Sequence, residues 1–213
     1  MAWRVFFLLG IVLLCSCKSK PKTGYHDLKT VNVDALHVTL ALPANFREYS
    51  IEDEMEELEN SDYPDEIKEM RRNYLENLLL NEHPSRLFAD SIYKENNIRI
   101  SESAFYFKVG KYMSREAFLR MDKQMQQMGD LLSVKYEALE NSYFTLANGN
   151  DIMKIRYRAK QVKVNRAGFL PVDEGEVSYS TFYVITGGNR TLFAVVNHES
   201  EDFEYFIRTI KFE

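Results

Sequence analysis

The only two thiols in this 213-residue chain, Cys15 and Cys17, lie at the end of a short apolar run near the N-terminus. A thiolate is the most reactive side chain a sequence can offer, as nucleophile, redox group or metal ligand. The four histidines, His26, His37, His83 and His198, are scattered, and none forms the i, i+4 pair or the His-Glu-x-x-His pattern of a zinc enzyme. The acids Glu52, Asp53, Glu54, Glu56, Glu57 and Glu59 are dense. They lack the alternating-oxygen loop with a central glycine that a calcium hand requires. The sequence holds no Gly-x-Ser-x-Gly elbow, phosphate loop or dinucleotide glycine fingerprint. No metal or cofactor is therefore expected, and no catalytic constellation is legible.

A second chemical pattern lies at Lys154, Arg156, Arg158 and Lys160. Alternation with Met153, Ile155, Tyr157 and Ala159 makes this a strand with four cations on one face. They stand about 6.7 Å apart, from roughly 3.3 Å of rise per residue. Such a stripe suits an anionic partner. The competing reading is the solvated face of an amphipathic strand, paired with the acidic segment Glu52–Glu69.

Around the thiols, Met1 to Ser16 has the parts of an export signal: Arg4, an apolar run from Val5 to Leu14, and small residues before a cysteine. A membrane-spanning helix needs roughly 20 apolar residues, and this run is about half that. Leu14-Cys15-Ser16-Cys17 resembles the lipobox of bacterial lipoproteins, with an aliphatic residue three before the cysteine and a small one just before it. The resemblance implies cleavage between Ser16 and Cys17, diacylglycerol on the Cys17 thiol and an acyl chain such as palmitate on its new amine. Two or more chains anchor stably, at about 0.8 kcal/mol per buried methylene. Cleavage removes Cys15 and lipid caps Cys17, so the mature domain would carry no free thiol or disulfide.

The expected organisation is a signal peptide at 1–16, a polar tether at 17–30 and one domain at 31–213. A net charge of −5 lacks the basic footprint of nucleic-acid binding, and 45% hydrophobic residues can build a core. Leu36 to Leu42 alternates as a strand ending at Pro43. Residues 51–60 and 64–79 read as helices, the second capped by Asp62 or Ser61 with Pro64 in its first turn. Residues 85–97 read as a linker, followed by strands at Ile98–Ser101 and Ala104–Val109. Ser114 is the expected cap of a third helix whose face carries Phe118, Met121, Met125, Met128 and Leu132, with Gly129 as its stop. A meander follows: Tyr143–Ala147, Asp151–Val164, then Val177–Thr186 and Arg190–Asn197 around Gly187-Gly188-Asn189, a hairpin signal. Ser200 is the expected cap of a last helix bearing Phe203, Phe206, Ile207 and Ile210. Asp90-Ser91-Ile92 is similar to the O-glycosylation site of exported Bacteroidota proteins, on Ser91.

This pattern predicts an α+β fold, an antiparallel sheet with amphipathic helices on its faces. The order resembles the PsbP-like sandwich: an opening strand with Pro43 and Phe46 after it, and a closing hairpin, helix and short strand at Thr181–Asn197, Phe203–Thr209 and Ile210–Phe212. The whole is similar to small Bacteroidota lipoproteins. Those resemblances imply a non-catalytic binding or assembly module of the cell envelope, lipid-anchored at the outer membrane facing the periplasm, with a protein or envelope partner. An envelope enzyme or accessory subunit with a site assembled in space, or a small-ligand carrier, is the alternative.

Overall fold

The computed structural model describes residues 27–80, 84–106, 108–132, 134–161, 163–164, 171–172, 177–198 and 203–213. The lipobox, Ser200 and Phe107 lie outside them.

The chain enters as β1 (Leu28–Val33), makes a tight helical turn at Asp34–Leu36, and returns as β2 (Val38–Pro43). The two pair antiparallel from Leu28↔Pro43 to Val33↔Val38. Residues 28–30, inside the span expected to be a tether, thus belong to a strand of the domain. Only Val31 and Val33 of β1 face the interior, which is too weak an alternation to see without its partner. A chain starting at Asp34 loses a strand and the burial of Val33, about 2 kcal/mol. Its melting temperature should fall by roughly 4–8 °C, whereas a chain starting at Asp27 should melt like the full domain. Differential scanning calorimetry reads both.

Next come β3 (Phe46–Tyr49) and two helices, α1 (Ile51–Glu59) and α2 (Asp65–Leu80). The Ser50 hydroxyl accepts from Asp53 N at 3.0 Å while the Asp53 carboxylate accepts from Ser50 N at 2.9 Å. That reciprocal box starts α1. The Ser50 backbone bond, then its side chain, hold the Asp53 carboxyl below its usual range. The expected linker contains β4 (Ser85–Asp90), followed by β5 (Asn97–Glu102). The expected strand at Ala104–Val109 does not form in its described residues. Phe105 and Tyr106 have strand propensity but find no ladder.

Helix α3 runs Lys111–Leu132, longer at both ends than expected. Ser114 is not its cap: it sits one turn inside, its hydroxyl donating to Asn141 Oδ1 at 3.1 Å. Then come β6 (Val134–Thr145), β7 (Asp151–Gln161), the short pair β8 (Lys163–Val164) and β9 (Pro171–Val172), β10 (Val177–Gly187) and β11 (Arg190–His198). The chain closes with α4 (Glu204–Arg208) and β12 (Lys211–Phe212).

Among the described residues, β3-β4-β5-β11-β10-β7-β6 form one antiparallel sheet and β1-β2-β12 a smaller one. One face of the large sheet carries Phe46, Ile98, Ile100, Ile152, Ile185 and Val196, packed with Leu36, Leu40 and Leu42 of the small sheet and with Phe203, Phe206 and Ile207 around α4. The opposite face carries Met153, Ile155, Tyr157, Phe182 and Val195 beneath α3, with Met125 inward. Leu58, Tyr74 and Leu75 join α1 to α2. The Met128 side chain lies outside the described set.

The β10–β11 turn places positive φ at Gly188 and Asn189, as a two-residue hairpin demands. Gly187 is instead the last strand residue, paired with Arg190. It is needed for space: a Cβ there would stand 2.2 Å from Asn150 Oδ1 and 2.8 Å from the Phe212 ring.

Candidate binding surfaces

The cationic stripe lies on β7, but its charges are largely spent within the domain. A β-bulge in β6 arranges this. Ala138 pairs with Tyr157 and Glu140 with the next residue back, Arg156, leaving Leu139 extra. A bulge shifts the alternation by one. Glu140 therefore turns to the face of Lys154 rather than to that of Ala138. Lys154 is 1% exposed. Its ammonium donates to Glu204 of α4 at 2.5 Å and meets Glu140 at 2.8 Å. Arg158 pairs with Glu137 directly across the ladder. The Arg156 guanidinium lies 5.0 Å from the Tyr179 ring centroid, and Tyr179 stacks on His198 at 5.4 Å. Lys160 is half-buried at the far end. An anionic partner at this stripe would compete with carboxylates already in place. Those carboxylates come from β6 and α4, not from the acidic segment Glu52–Glu69.

That acidic segment has its own partners. Glu57 pairs with Lys94 and Glu59 with Arg72. Glu54 pairs with Arg99 of β5, which is 5% exposed, and Arg99 also lies 5.8 Å from the Tyr74 ring. Burial raises the Glu54 carboxyl above its ordinary value, more than Arg99 lowers it. Burial likewise pushes the Tyr74 phenol up to about 12. Arg99 was invisible in the sequence, because a lone charge inside Ile98–Ser101 reads as solvent-facing.

Ser91 is half-buried on a bend. The Asp90 carboxylate beside it accepts from Ile92 N at 2.8 Å and Tyr93 N at 3.1 Å. The Asp-Ser-Ile sequence thus also has a local conformational use.

An open cleft of about 600 Å³ lies between the outer side of β1–β2 and the end of α4, lined by Thr30, Thr39, Ala41, Leu146, Arg208 and Lys211. Its polar groups are mostly committed. Arg208 pairs with Glu204 at 2.5 Å and covers Phe144 at 4.1 Å. Thr209 accepts from Ala41 N and donates to Phe206 O.

A third surface went unrecognised. After β5 the chain leaves the sheet, and Phe105, Tyr106 and Tyr112 stand exposed, at 65%, 50% and 91%. Between them Val109 turns inward, while Lys108 and Lys111 are exposed. A run of rings followed by Lys108, Lys111 and Tyr112 was the available signal. Its aromatic content read as a strand.

No family model matches the chain, and no curated protein matches its sequence. Among solved structures, cyanobacterial PsbP (CyanoP) from Synechocystis sp. PCC 6803 is similar. The match covers 94% of this chain and 99% of that one, with a TM-score of 0.53 and 11% identity. At that identity the likeness shows the fold: a PsbP-like, antiparallel α+β sandwich.

Proposed function

We propose that this PsbP-like chain is a lipid-anchored, non-catalytic binding or assembly module of a bacterial envelope, held at the outer membrane and facing the periplasm. The observation that carries it is how the domain is closed. Its own elements pack both faces of the large sheet, and its most buried cations are paired internally. Large apolar side chains are nevertheless left on the outside at 105–119. A filled interior with an exposed aromatic surface suits contact with another surface. The anchor rests on the Leu14-to-Cys17 sequence.

Two measurements test the parts separately. Cys17→Ser should abolish lipid labelling and leave the chain uncleaved or released from the membrane fraction. Unchanged labelling and cleavage would remove the anchor. A photo-cross-linking residue in place of Tyr112 should give a discrete adduct in cells, with protein or with lipid. A chain that forms none would not be binding through this surface.

A further inference from the structure

We propose that residues 104–106 and 108–123 dock on an anionic lipid bilayer. This deepens the reading above and rests on it only in taking the exposed aromatic surface as the binding face.

The first support is the arrangement of side chains. In α3, Ser114, Phe118, Met121 and Met125 are on the side packed to the sheet. Tyr112, Arg115, Leu119 and Lys123, spaced by three and four, are exposed on the opposite side. The helix is thus amphipathic twice, with one tyrosine ring, a leucine and two cations, beside the exposed Glu116, on its outer face. Tyr and Phe rings sit at the headgroup level of a bilayer, and Lys and Arg stems lie along apolar surface while their charges reach phosphates.

The second support is charge. Residues 104–123 hold five basic side chains against two acidic ones, net +3, within a chain of net −5. That excess complements a surface of anionic headgroups. It also argues against a protein partner at the same place, because the buried centre of a protein interface is depleted in lysine. Here Lys108 and Lys111 lie between the aromatic positions.

The third support is reach. Leu28 pairs with Pro43 at one end of the sandwich. Ser103 bonds to Thr191 at the other end, beside the β10–β11 turn. The eleven residues from Cys17 to Asp27 extend at most about 3.6 Å each, as far as the 11-residue β10 is long. Strand β1 and α3 lie on opposite faces of the large sheet, so the tether must also pass its layers, spaced about 10 Å. Its length of roughly 40 Å is what lets a chain anchored at Cys17 lie with α3 on the same membrane.

The test uses the chain from residue 17 onward with Cys17→Ser, which carries no lipid. It should co-sediment with vesicles of phosphatidylcholine and phosphatidylglycerol, less so with added salt, and hardly with phosphatidylcholine alone. Each basic residue near such a surface is worth about a fivefold change in partitioning. Lys108→Glu with Lys111→Glu should therefore weaken binding by well over tenfold. Phe105→Ser with Tyr112→Ser should weaken it too. Both pairs are exposed, so melting temperatures should not change, which separates lost docking from lost folding. Absence of binding to the anionic vesicles, equal binding to both vesicle types, or full binding by the lysine variant would overturn the proposal. If the vesicles go unbound while the Tyr112 adduct is a protein, the lipid assignment falls and the binding module stands.

Discussion

Replacing Arg99 with Met should lower the unfolding free energy by about 3–5 kcal/mol, the usual cost of leaving one charge of a buried pair without its partner. The Glu54 carboxylate would remain under α2 with only the weaker pull of Arg71 against its desolvation. The variant also carries a sign in pH. Burial already raises Glu54, and Arg99, with a smaller contribution from Arg71, is what opposes it. Without Arg99 the carboxyl rises further, so the native state holds its proton more tightly than the unfolded chain does. Stability is then retained below the unfolded pKa and lost as pH climbs through the folded one. The deficit should be larger at pH 8 than at pH 5. Urea melts at the two pH values read this directly, and an equal deficit at both would show that Glu54 is not the group responsible. Adding Glu54→Leu should recover much of the loss, since apolar replacement of a whole buried pair is often neutral.

The second large effect reverses what helix propensity alone would give. Gly129 lies inside α3, where Ala is normally about 1 kcal/mol better than Gly. Here a Cβ would stand 2.3 Å from Val134 O and 3.3 Å from the Tyr136 ring. The first is backbone and has no rotamer to move. Gly129→Ala should therefore destabilise, by about 1–3 kcal/mol for overpacking, by prising α3 off the start of β6. A thermal melt that rises in this variant would contradict the contact. The sequence reading of Gly129 as a helix stop had the right residue and the wrong reason. The glycine marks where helix and sheet come closest, three residues before the helix ends.

The same contrast runs through the chain. The β10–β11 hairpin and the closing helix were readable because their turn residues and apolar spacing are local. Strand β6 was readable only at its end, from Tyr143, because its alternation is broken before that. Tyr136 and Ala138 face α3, Leu139 is extra, and beyond it Asn141 and Tyr143 take the α3 side while Glu140 and Phe144 take the other. A period-two reading loses phase there. Strand β4 is six residues with a mixed pattern, and only its place between β3 and β5 makes it a strand. At the candidate surfaces, the row of cations on β7 was legible. Their partners were not, since Glu204 is 50 residues away from Lys154. The aromatic surface failed in the opposite way: its composition was conspicuous, but composition cannot say whether a ring points in or out.

The irregularity at Leu139 has a consequence for crowding. Strand β6 is an outer edge of the large sheet and runs 12 residues, long enough for a flat edge to serve as a template for another copy. On the proposed anchor, molecules would share a plane and meet repeatedly at similar heights, which is where strand-on-strand stacking would be most dangerous. A kinked edge with an unpaired residue and a row of charges is a poor surface to extend. The bulge that turns Glu140 towards Lys154 thus also makes this edge a poor template for a second copy.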